Sequence, residues 1–135
     1  MEDFNKAIDL GPTITLAYSG RGLAHAIPGN TEQAILDFTK SIELGPVAAE
    51  VYSNRGYAYA STGNMEKAIQ DFNKAIELES NYPQNYFLRG NALASSGQLK
   101  LAILDFERYL DLYPNASNRH EVLNIINELK SQLGK

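Results

Sequence analysis

The chain repeats itself every 34 residues, and that period constrains its fold more than any other feature. Set against Ala49–Tyr82 without a gap, Thr15–Ala48 is identical at 17 of 34 positions. Pro83–Ala116 forms a third unit, Met1–Ile14 matches only the last fourteen places of a unit, and Ser117–Lys135 is a non-repeating remainder. A repeat of this size is one small supersecondary element that cannot bury its apolar face alone. Copies must stack, so the 135 residues predict one continuous array and not a compact domain of mixed architecture.

Each unit divides into two segments. In the first, Tyr18, Tyr52 or Tyr86 stands at the fourth place and Gly22, Gly56 or Gly90 four residues later, a helical spacing. The second begins near Glu32, Glu66 or Lys100. It repeats apolar residues at helical intervals: Ala34, Ile35, Phe38 and Ile42, then Ala68, Ile69, Phe72 and Ile76, then Ala102, Ile103, Phe106 and Leu110. Gly29-Asn30, Gly63-Asn64 and Gly97-Gln98 separate the segments, and glycine there permits the left-handed turn that ends a helix. Pro46 and Pro114 close their units, where the middle unit has Ser80. Every unit therefore predicts a helical hairpin.

These landmarks resemble the tetratricopeptide repeat, over residues 1–116. In the central unit they are Tyr52, Gly56, Tyr59, Ala68, Phe72 and Ala75. His25 stands where the aromatic is expected, Ser41 and Tyr109 where the small alanine is expected. The resemblance implies an all-α, right-handed superhelical solenoid of helix-turn-helix hairpins whose first helices line a concave groove. Its organisation is a half-repeat over 1–14, full repeats over 15–48, 49–82 and 83–116, and a capping helix over 117–135. Asn118 and Glu121 have capping-box spacing, and Val122, Ile125, Ile126, Leu129 and Leu133 form one apolar stripe. Met1–Ile14 supplies only a second helix. Its Phe4, Ala7, Ile8 and Leu10 call for a cover, from another copy or from repeats outside this sequence.

Composition removes several classes of function. A net charge of −4 disfavours a nucleic-acid backbone or an anionic membrane as the main partner, and no apolar run approaches the length of a membrane span. The start lacks the basic and then apolar run of a secretory signal, so a soluble chain is expected, with a cytoplasmic setting favoured. Asn115-Ala116-Ser117 matches the glycosylation tripeptide, a pattern short enough to arise by chance. With no cysteine, and with His25 and His120 far apart, neither a thiolate nor a local histidine metal site can be assembled from motifs. No catalytic triad, phosphate-binding glycine loop or dinucleotide fingerprint occurs, and no cofactor is expected.

One charged pattern is systematic. Arg21, Arg55 and Arg89 recur at the seventh place, and Asp37, Asp71 and Asp105 at the twenty-third. In an antiparallel hairpin these places stand at similar heights, so we expect structural ion pairs. The alternative is an arginine ladder for an anionic ligand.

The family geometry implies a groove contributed by the second, fifth, sixth, ninth, twelfth and thirteenth places. Its candidate partner-binding residues are Ser19, Leu23, Ser53, Asn54, Tyr57, Gln84, Phe87, Leu88 and Asn91. Some family members clamp an acidic peptide carboxylate with lysine, asparagine and arginine at five of these places. Here those places hold Ser19, Leu23, Asn54, Gln84 and Leu88, and only Asn54 agrees. The expected function is a noncatalytic scaffold that holds a peptide or helix of a partner protein. The alternative is a self-assembling structural module that associates through residues 1–14.

Overall fold

A computed structural model describes residues 1–11 and 14–135. Among the described residues there are eight helices and no strands: α1 (Glu2–Leu10), α2 (Thr15–Ala26), α3 (Thr31–Leu44), α4 (Ala49–Ser61), α5 (Met65–Leu78), α6 (Pro83–Ser95), α7 (Leu99–Leu112) and α8 (Arg119–Leu133). The pairs α2/α3, α4/α5 and α6/α7 are antiparallel hairpins, each packed on the next, and α2, α4 and α6 adjoin one another. This is an all-α solenoid.

The three hairpin turns are built alike. Gly29, Gly63 and Gly97 all have φ between +80° and +87°, and the following N–H of Asn30, Asn64 or Gln98 donates to a carbonyl five residues back at 2.9 Å. That six-to-one bond satisfies a helix-terminal carbonyl and reverses the chain. In the middle hairpin the Asn64 side chain also accepts from the Lys67 N–H, capping α5.

Inside each hairpin a phenylalanine ring, Phe38, Phe72 or Phe106, is buried against the glycine of the first helix. A Cβ on Gly56 would stand 3.0 Å from the Phe72 ring and 3.2 Å from the Ala68 carbonyl, so this approach needs glycine. Ala34, Ala68 and Ala102 fill the remaining contact and are fully buried.

Departures from the repeat pattern mark local repairs. The Ser41 hydroxyl, buried in the alanine place, donates to the Thr15 carbonyl at 2.9 Å. Tyr109, also buried, replaces a small residue beside α8, where its ring packs and its hydroxyl donates to Asn118 Oδ1 at 2.8 Å. That bond uses the oxygen that a capping box needs, so the expected box does not form: Asn118 makes no side-chain bond to the start of α8. Val122, Ile126 and Leu129 of α8 do join the core around Phe106, while Leu133 is exposed.

At the opposite end α2 covers α1. The Phe4 ring lies against Gly20 and Ile8 is buried. Of the four apolar residues expected to need an external cover, only Leu10 is left open, at 90% exposure.

Candidate functional site

The first helices carry both a rigid internal layer and an open surface, and the seventh-place arginines belong to the layer. Arg55 Nε and Nη2 each donate to an Asp71 oxygen at 2.8 Å. Its Nη1 donates to Thr39 of the preceding hairpin at 3.2 Å. Arg21 repeats this with Asp37 and Asn5, and Arg89 with Asp105 and Asn73. Each arginine thus ties its own hairpin to the helix that precedes it. Asp37, Asp71 and Asp105 are buried, and the fork-shaped guanidinium matches both carboxylate oxygens. Hydrogen bonding to aspartate raises all three arginine pKa values above their ordinary value against the opposing effect of burial. The ion pairs expected from the spacing are formed, and each of these three guanidinium groups is occupied.

His25, in the aromatic place, brings Nε2 to 3.7 Å from Asp37 Oδ2, while its buried Nδ1 has no hydrogen-bond partner. Histidine here fills packing space and adds a contact to the first ion pair.

Two adjoining cavities open on the first helices. The smaller, about 230 Å³, is mainly aliphatic: Leu16 and Leu23 of α2 face Pro46, Val47 and Val51 across it. The larger, about 370 Å³, lies between α4 and α6 and is the more polar of the two, with Glu50, Asn54, Glu79, Gln84 and Asn85 beside Tyr82 and Leu88. Glu50 and Asn54 border both. Neither cavity is lined by a lysine or arginine.

The residues picked from sequence separate on this surface. Ser19 and Leu23 line the aliphatic cavity, Ser53, Gln84 and Leu88 the polar one, and Asn54 both. Tyr57, at 61% exposure, and Asn91 are open to solvent outside them. The amides of Asn54 and Asn91 make no hydrogen bond among the described residues.

Two of the nine face inward. Ser53 is buried, its hydroxyl donating to Asn85 Oδ1. Phe87 is half-buried with its ring 5.2 Å from Tyr109 and 5.9 Å from Phe106, because the large Tyr109 reaches across to α6.

Sequence reasoning missed Asn85. It occupies the third place, where the other units have Ala17 and Val51, and it is 1% exposed. Its Nδ2 is buried without a hydrogen-bond partner, and the residue lines the polar cavity. A polar residue at an otherwise apolar place was the available signal.

A stack of helical hairpins with a lined surface along its first helices defines a repeat-type binding architecture. The tetratricopeptide repeat family profile matches residues 49–82 and again 83–116, and the chain belongs to that family. No curated protein sequence matched the chain. Among solved structures, the first such domain of Spaghetti (RPAP3), bound to the HSP90 peptide SRMEEVD, is 28% identical with a TM-score of 0.81, covering 90% of this chain and 94% of that one. The second domain of human RPAP3, in complex with the HSP70 peptide SGPTIEEVD, is 29% identical with a TM-score of 0.78, covering 89% and 98%. MamA shares the fold at 23% identity and a TM-score of 0.87, covering 95% of this chain and 70% of that one.

Proposed function

We propose that this protein is a noncatalytic scaffold that holds an extended peptide of a partner protein along α2, α4 and α6. The observation that carries this reading is the continuity of the two cavities through Glu50 and Asn54, which gives one path with an aliphatic and a polar section. Leucine and valine side chains bury apolar groups of the peptide, and the unengaged amides of Asn54 and Asn91 pair with its backbone. Similar domains from RPAP3 bind peptides, which supports the class of ligand. The buried aspartates Asp37, Asp71 and Asp105 are each engaged by an arginine, and among the described residues no group of three or more histidine, cysteine or acidic side chains is placed to hold a metal. No described helix is long and apolar enough to cross a membrane.

Calorimetry of a captured partner peptide tests this. Leu23→Ser with Tyr57→Ala should weaken binding at least about tenfold, as losing two apolar anchors does, while circular dichroism remains unchanged. Unaltered affinity in the folded double variant rejects the groove.

Self-assembly remains the second reading, favoured by the exposure of Leu10 alone. Replacing Leu10 with serine is its proper test, because Phe4 and Ile8 are needed to seat α1. A mass by light scattering that is independent of concentration in the native chain rejects it.

A further inference from the structure

We propose that the groove selects basic peptides: an extended segment with an aliphatic side chain for the Leu16/Leu23 cavity and a lysine or arginine for the polar cavity beside it. This inference rests on the peptide-groove reading above. Its first ground is charge. Glu50 and Glu79 stand on the polar cavity, neither has an ion-pair partner among the described residues, and no lysine or arginine lines the cavity. The three arginines of the first helices cannot offset that charge, because each is bound in bidentate fashion by its own aspartate. Two unopposed carboxylates on a shared concave wall favour a cation and repel an acidic segment.

The second ground is Asn85. Its oxygen is held by Ser53, which fixes the amide, and its buried Nδ2 lacks an acceptor. A native chain leaves such a donor unsatisfied at a cost, and a small pivot about the Ser53 bond toward the cavity that Asn85 lines lets a peptide carbonyl supply the missing acceptor. The aliphatic cavity adjoins through Glu50 and Asn54, so an apolar side chain and the cation lie on one continuous segment. The ligand class is therefore opposite in charge to the acidic peptides SRMEEVD and SGPTIEEVD seen on the RPAP3 domains.

Random peptides displayed on phage, selected on the full chain at low salt, provide the test. Peptides that lose binding to Leu16→Ser/Leu23→Ser are groove-dependent, and these should carry at least threefold more lysine and arginine than aspartate and glutamate. A synthetic representative should bind Glu50→Gln/Glu79→Gln about fivefold more weakly and lose a similar factor at high salt. Exchanging its basic residue for glutamine tests the same contact without touching the protein, should the double variant fold poorly. Groove-dependent peptides that are acidic or show no charge preference, or affinities indifferent to both exchanges, overturn the basic-segment proposal and leave the peptide groove standing. A selection that returns no groove-dependent peptide overturns both.

Discussion

Arg55 and Asp71 show how a charged residue can be structural on a surface otherwise suited to binding. The aspartate is buried, and both of its oxygens accept from one guanidinium that also reaches the preceding hairpin. Removing either partner strands the other. Arg55→Leu or Asp71→Leu alone should cost about 3 kcal/mol, and the double change less than the sum, as measured by chemical denaturation in a double-mutant cycle. Because the arginine pKa is raised, the guanidinium's contribution is complete below its ordinary value and is lost as pH rises through the still higher folded value. Ser53 and Asn85 behave differently. Replacing both with the apolar residues of Ser53→Ala/Asn85→Val removes a buried unsatisfied donor, so the thermal midpoint should hold or rise while peptide affinity falls. A lower midpoint with affinity intact would return Asn85 to a purely structural role.

Among the elements, α8 depends on the residue that breaks the repeat pattern most. Tyr109 packs against Phe87 and Tyr113 and bonds Asn118, so restoring the repeat's usual alanine there should destabilise the array by about 3–5 kcal/mol. Hydrogen exchange should show α8 losing protection first, with α4 and α5 retaining theirs. The helices, their turns and the Arg–Asp register were legible in the sequence because each is repeated, and a recurring residue at fixed spacing reports a recurring contact. What was not legible arises where one unit differs from the others. The Asn118 cap was lost to a hydroxyl nine residues earlier in the chain, and Ser53 turned inward because Asn85, one repeat on, offered it an acceptor. Phe87 left the open surface for the same reason, drawn into the aromatic contact that Tyr109 creates. Periodicity defines the scaffold, whereas pairings between non-equivalent places shape the candidate site.

For the whole molecule, the framework contacts and the proposed recognition surface occupy different sides of the same helices. The ion pairs, buried phenylalanines and glycines hold neighbouring hairpins in a fixed relation, and the exposed places of α2, α4 and α6 vary freely between units. Leu36, Leu101 and Leu104, exposed on the second helices, are the competing apolar surface. Amide chemical-shift mapping of the full chain with a selected peptide distinguishes the two sides most directly. Binding through the groove predicts shifts concentrated at Leu23, Asn54, Asn85 and Leu88, with the amides of α3 and α7 little changed. Shifts centred on Leu36, Leu101 and Leu104, with the first helices unperturbed, would contradict the account.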